Sequence, residues 1–146
     1  MIVVTGGAGF IGSAIAQELN VRGRKDIIIV DDVDHLEKAK NIASIKYKEL
    51  RGKDFFLKKI LSREIDSIEM IIHMGACSST TEIDEKFLTK NNYHYTRHLA
   101  TYALEKDIRF IYASSAATYG NGEIGYSDDE SKLNTLRPLN LYGESK

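Results

Sequence analysis

Four short apolar runs, Ile2–Thr5, Ile27–Val30, Ile68–His73 and Ile108–Ala113, narrow what this chain can become. Each is rich in β-branched residues and continuous rather than alternating in polarity, which is the pattern of strands buried on both faces of a parallel sheet. A weaker run at Ile45–Leu50 has less apolar material, in Tyr47 and Leu50, and suits an edge strand. Between the runs the periodicity becomes helical. Phe10, Ile11, Ala14, Ile15 and Leu19 form one stripe, and Phe55, Phe56, Lys59 and Ile60 mark another. The longest helix is predicted from Asp84 to Glu105, with Leu88, Tyr95, Leu99, Tyr102 and Ala103 on its apolar side. Strand and helix alternate, so the predicted fold is an open α/β domain with a doubly wound parallel sheet, because each crossover must cover a face.

Size and charge exclude several classes. With 146 residues, 42% of them hydrophobic, the chain has the size of one globular domain spanning residues 1–146. Its 20 basic and 21 acidic residues give a net charge of −1 and form no basic block, so no nucleic acid is expected as a partner. No apolar run approaches the roughly 18 residues of a membrane span and no secretory leader is visible, so no membrane association and a cytoplasmic location are expected. Cys77 is the only cysteine, which rules out an intrachain disulfide and a thiol-rich metal site. No His, Cys and acid group has ligand spacing, so no metal is expected. The stretch from Gly120 to Arg137, rich in Gly, Ser, Asp and Asn, reads as a long surface loop before the single proline, Pro138.

The sequence "VVTGGAGFIGSAI" carries four glycines from the end of the first predicted strand into the opening of the first helix. Gly6 and Gly7 allow a sharp turn, Gly9 lets a pyrophosphate approach the backbone, and Gly12 lets the helix pack close to the sheet. The free N–H groups and positive helix end would hold the phosphates. With Asp31 closing the next strand, this is the context of a dinucleotide-binding fingerprint on a Rossmann-type fold. Asp31 and Asp32 favour the free ribose hydroxyls of NAD, whereas Lys38 and Lys40 suit the 2′-phosphate of NADP. The residues alone leave the two cofactors nearly even.

A second constellation lies further on. "IRFIYASSAATYG" puts Ser114 and Ser115 after a strand, and "PLNLYGESK" puts Tyr142 and Lys146 four residues apart, on one face of a helix. An ammonium beside a phenol favours the phenolate, so Tyr142 could exchange a proton with a substrate hydroxyl during hydride transfer while Ser115 holds the same oxygen. The spacing alone is weak, since Tyr102 and Lys106 repeat it ahead of a strand. Cys77, with no cation nearby in sequence, suits a small apolar packing role, and His73 suits a hydrogen-bonded structural one. Ser78, Ser79, Thr80 and Thr81 are candidate helix caps with Glu82 or Glu85, or ligand contacts.

Together, "TGGAGFIG", "YASSAATYG" and "YGESK" resemble the extended short-chain dehydrogenase/reductases that modify nucleotide-activated sugars. Within that group, "HMGACSSTTE", "NNYHYT" and "YASSAATYG" are similar to the ADP-heptose 6-epimerases, which invert C6 of the heptose of the lipopolysaccharide inner core. The resemblance implies an isomerase that removes a hydride from the sugar and returns it to the opposite face. It implies bound NADP rather than NAD, with Lys38 and Lys53 answering the 2′-phosphate; the second acid, Asp32, departs from the commoner amide. It further implies that Phe10, Ile11, Asp31, Asp32, Lys38 and Lys53 touch the cofactor, that Gly75, Ala76, Cys77, Ser78 and Ser79 pass beside it, and that Asn92 supports it. Ser115, Tyr142 and Lys146 match the family's catalytic serine, tyrosine and lysine, the last two also contacting cofactor. A homo-oligomeric full-length protein is expected. Such enzymes are considerably longer, so the resemblance implies a cofactor domain that stops before its last strands and its substrate domain. On its own it is expected to hold cofactor weakly and turn over little or no sugar.

Two other readings remain at this level. A 4-epimerase or 4,6-dehydratase for another nucleotide sugar is one, although Ala116 and Ala117 stand where elimination needs an acid and base pair. The other is a non-catalytic, cofactor-responsive interaction domain.

Overall fold

The three apolar runs at the start, at Ile27 and before His73 become the interior strands of a five-stranded parallel sheet. The computed structural model describes residues 1–33 and 35–146. In chain order the elements are β1 (Ile2–Thr5), α1 (Phe10–Val21), β2 (Ile27–Val30), α2 (Leu36–Ile42), β3 (Glu49–Arg51), α3 (Lys53–Leu61) and β4 (Met70–His73). There follow α4 (Glu85–Leu88), a π-helical turn (Thr89–His94), α5 (Tyr95–Glu105), β5 (Arg109–Tyr112), 3₁₀ helices at Ala116–Tyr119 and Glu130–Thr135, and α6 (Leu141–Glu144). They form two compact units: Met1–Ala76 with Tyr95–Ala113, and Cys77–His94 with Ser114–Lys146.

The first unit contains the sheet, in the order β3-β2-β1-β4-β5 with every pair parallel. Successive side chains of a strand point to opposite faces, so a continuous apolar run feeds two cores. One holds Ile2, Val4, Ile27, Ile29 and Ile72 against Ala16 of α1 and Ile42 of α2. The other holds Val3, Ile28, Val30 and Ile71 against Phe56 and Ile60 of α3 and Tyr95, Leu99 and Tyr102 of α5. Helices thus cover both faces. Tyr102 reaches the core without leaving its hydroxyl unpaired, since it donates to the Ile65 carbonyl at 2.5 Å.

Several local expectations need correction. Of the stripe expected on α1, Ile15 and Leu19 pack against the core, whereas Phe10 and Ile11 are 87% and 57% exposed and Ala14 also faces outward; Gly12 and Ala16 are buried in their place. Phe55 likewise faces outward while Phe56 is buried. The edge strand starts at Glu49 rather than Ile45, because Asn20 satisfies the Lys46 backbone at both N–H (2.6 Å) and C=O (2.9 Å) and removes the need for a ladder there. At the other edge, Ile111 and Tyr112 of β5 are half exposed and not buried on both faces. The long predicted helix is divided by the π-helical turn into α4 and α5.

In the second unit, Leu88, Asn92 and Tyr142 are buried. Asp84, not the Ser/Thr run before it, caps α4: its Oδ1 accepts the Phe87 N–H at 2.9 Å. Ser79 and Thr81 pair with each other instead, at 3.2 Å.

Leu99 is fully buried between α5 and the sheet. Leu99→Ala is expected to lower the unfolding free energy by about 2–5 kcal/mol through lost transfer energy and a residual cavity. Urea unfolding followed by circular dichroism measures it.

Candidate functional site

In the first unit the turn after β1 is built for close backbone approach. Gly6 adopts φ +64° and donates its N–H to Val30 at 2.8 Å, and a Cβ there would lie 2.7 Å from the Gly75 nitrogen. The turns after β1 and β4 therefore pass backbone to backbone. Gly75 is fixed in turn, because its N–H donates to Thr5 Oγ1 at 3.1 Å. That oxygen lies 2.5 Å from His73 Nδ1, and His73 Nε2 lies 2.8 Å from Thr96 Oγ1. His73 is buried and stacks on Tyr95 and Phe110, the hydrogen-bonded structural role expected from sequence. Gly9 is the N-cap of the 12-residue α1, and among the described residues no side chain caps the first turn. The uncapped N–H groups and helix dipole make this end an anion cradle, flanked by the exposed Phe10 and Ile11.

Asp31 and Asp32 follow β2 and organise the rim of that turn. Asp31 Oδ2 accepts the Ala8 N–H at 3.0 Å, while its Oδ1 accepts the Asp32 N–H at 2.8 Å and Lys38 Nζ at 2.9 Å. Lys38 also donates to the Asp32 carbonyl at 2.8 Å. Asp32 in turn meets Lys53 twice, at the backbone N–H (3.1 Å) and at Nζ (3.2 Å). Lys40 is exposed on α2 and is not drawn into these contacts by any bond seen among the described residues. Tyr95 donates its hydroxyl to the Lys53 carbonyl at 3.1 Å; burial first, and then the charges of Asp54, Asp32 and Asp31, raise its pKa and keep it a donor. Sequence reasoning missed Asn41, whose Nδ2 holds the Ala8 carbonyl at 3.0 Å. Its signal was an amide one turn after Lys38 on the same short helix.

The second unit gathers the remaining candidates. Ser115 begins the Ala116–Tyr119 helix, its Oγ accepting the Ala117 N–H at 3.2 Å. Asn140 caps α6 by accepting the Gly143 N–H at 2.7 Å. A Cβ on Gly143 would lie 2.8 Å from the Ala117 carbonyl oxygen and 2.9 Å from Pro138 Cβ, so only glycine lets the Tyr142 turn settle on the Ser115 turn. Lys146 lies past the end of α6, with Nζ 5.6 Å from the centre of the Tyr142 ring. Burial holds its ammonium below the ordinary lysine value, with Cys77 as a smaller opposing influence. Asn92 pairs with the Cys77 backbone at 2.8 and 3.2 Å and donates to Ser145 Oγ at 2.9 Å. Ser78 and Ser79 are exposed, while Gly75 and Ala76 of the first unit are half-buried. Gly143 and Ser145 were the functional candidates missed inside a motif valued only for its tyrosine and lysine.

Among the described residues no group of His, Cys, Asp and Glu could hold a metal ion, and no helix is long and apolar enough to cross a membrane. Residues 2–146 match the NAD dependent epimerase/dehydratase family. The whole chain is 47% identical to an ADP-L-glycero-D-manno-heptose-6-epimerase of Nitratidesulfovibrio vulgaris, covering 46% of it, and 52% identical to one of Fusobacterium nucleatum, covering 45%. Among solved structures it is similar to the enzyme of that name from Helicobacter pylori, with a TM-score of 0.79 and 28% identity over 99% of this chain and 46% of that one. It is also similar to a UDP-glucuronic acid 4-epimerase from Bacillus cereus in complex with NAD, with a TM-score of 0.79 and 26% identity over 99% of this chain and 48% of that one. The chain spans less than half the length of these relatives.

The Asp31 carboxylate is the acceptor on which Ala8 depends. Asp31→Ala leaves that N–H unpaired and is expected to lower stability by about 1–3 kcal/mol, whereas Asp31→Asn keeps an acceptor and loses less. Chemical denaturation of the two variants side by side gives the comparison.

Proposed function

Because the chain belongs to the NAD dependent epimerase/dehydratase family, we propose that it is the nucleotide-binding part of an enzyme that inverts C6 of an ADP-linked glycero-manno-heptose. The observation that carries the sugar assignment is the 47–52% identity to epimerases of that name along the whole chain. The likeness to a UDP-sugar 4-epimerase, at 26% identity, supports the same cofactor chemistry with another sugar and is the weaker reading. Conversion of a UDP-sugar instead of ADP-heptose would favour it.

The residues fit a nicotinamide dinucleotide, since the uncapped N-terminus of α1 offers amides and a positive dipole to a pyrophosphate. When bound, that group supplies reversible hydride acceptance, which allows a stereocentre to be rebuilt with the opposite hand and no net redox change. Asp31, held by Ala8 and Lys38, is assigned to the adenine ribose. Lys38 and Lys53 are assigned to a 2′-phosphate, which makes the cofactor NADP; two carboxylates now share those ammoniums. Tyr142 exchanges the proton of the sugar hydroxyl, Ser115 hydrogen-bonds that oxygen, and the Lys146 ammonium supplies positive charge beside the phenol. A cytoplasmic, homo-oligomeric full-length protein belongs to the same reading.

Denaturing the purified full-length protein and identifying the released dinucleotide, together with an assay of C6 inversion of ADP-heptose, tests the proposal. Tyr142→Phe is expected to lower kcat by about 100-fold or more. Absence of inversion with intact bound cofactor would count against the sugar assignment. Lys38→Ala with Lys53→Ala is expected to weaken NADP binding by about tenfold or more and to leave NAD binding nearly unchanged, by loss of two charge-assisted contacts to phosphate. Equal loss for both dinucleotides would reverse the cofactor assignment.

A further inference from the structure

Ser145, one place before Lys146, makes two hydrogen bonds that the roles of its neighbours do not account for. Its Oγ donates to the Tyr142 carbonyl at 2.7 Å, a back-bond common at helix ends, and also accepts from Asn92 Nδ2 at 2.9 Å. Asn92 is only 1% exposed and sits in the Thr89–His94 π-helical turn. Its amide is engaged on three sides, because Nδ2 also donates to the Cys77 carbonyl at 3.2 Å and Oδ1 accepts the Cys77 N–H at 2.8 Å. A carboxamide has two N–H donors, and these are spent on Cys77 and Ser145. Without the serine hydroxyl, one of them would be sealed from water with no acceptor, which is costlier than the mean worth of a hydrogen bond.

Other contacts also hold the Tyr142–Lys146 segment, in which Tyr142 is buried. Its start is held by the Asn140 cap and by the contact of Gly143 with Ala117 and Pro138. Its end is held through Ser145. We infer that Ser145 is a positioning residue, docking the turn that carries Tyr142 and Lys146 onto the Asn92–Cys77 clamp and so setting the rate of proton transfer without touching substrate. The catalytic consequence rests on the function proposed above. The docking itself does not.

The test uses the full-length protein with Ser145→Ala and Ser145→Thr, measuring kcat and KM for ADP-heptose, dinucleotide affinity, and solvent exchange of the Asn92 side-chain amide by NMR. In Ser145→Ala, kcat is expected to fall about tenfold while KM and dinucleotide affinity change by less than about threefold, and Asn92 exchange to accelerate about tenfold. Ser145→Thr, which keeps the hydroxyl, is expected to restore both. Unchanged kcat in Ser145→Ala, equal loss in both variants, or Asn92 exchange indifferent to the hydroxyl would overturn the inference. Should the wild-type protein turn over no nucleotide sugar, the proposed function fails. Exchange then still decides the docking: accelerated only in Ser145→Ala it upholds the clamp, and unchanged it removes it.

Discussion

A parallel sheet covered on both faces leaves its strand ends as the place where backbone groups run out of partners, and the first unit is organised around that constraint. Thr5, Val30, Arg51, His73 and Tyr112 lie in one register row. One residue further, the N–H groups of Gly6, Asp31, Met74 and Ala113 still find the last carbonyl of a neighbouring strand, at 2.8–3.2 Å. Beyond them the ladder stops. Ala8 and Gly75 then turn to side chains, Asp31 and Thr5, and the first turn of α1 turns to none. An uncapped helix end, of the kind that suits an anion, arises there because the ladder is exhausted where a helix begins.

The two ion pairs at that edge differ in how open they are to water. Lys38 and Asp31 are one-third and one-tenth exposed, and Lys53 and Asp32 are each 42% exposed. A pair as open to water as Lys53–Asp32 contributes on the order of 0–1 kcal/mol, so an incoming anion can recruit that ammonium at little cost to the fold. The carboxylates remain held by backbone N–H groups of Ala8, Asp32 and Lys53. The acids thus serve the scaffold, and Lys53 holds the more exposed of the two pairs.

How much of this was legible in the sequence depended on how local the cause was. The interior strands β1 and β2 were readable to the residue because burial on both faces demands an unbroken apolar run. The glycine turn was readable because Gly6 must take a positive φ and cannot bear a side chain against Gly75. Phe10 and Ile11 misled, since an apolar side chain left exposed beside a site has the same period as one in the core. The β3 boundary moved because Asn20, 26 residues away, replaced ladder bonds with its own amide. The Asn92–Ser145 bond joins residues 53 apart, and neither periodicity nor motif spacing encodes such a meeting.

Two tyrosines four residues before a lysine show why environment outranks spacing. The Tyr102 hydroxyl is committed to the Ile65 carbonyl, and burial, with the charge of Asp66, raises its pKa. That phenol is fixed as a hydrogen-bond donor within the core. Arg63 stands 5.6 Å from the ring centre of Tyr102, the same distance at which Lys146 Nζ stands from that of Tyr142, but burial lowers the pKa of Lys146. An ammonium with less water around it is less screened and acts more strongly on what lies beside it. The same spacing therefore makes a structural strut at Tyr102, fixed by its hydroxyl bond to Ile65, and at Tyr142 brings a partly buried ammonium over the ring.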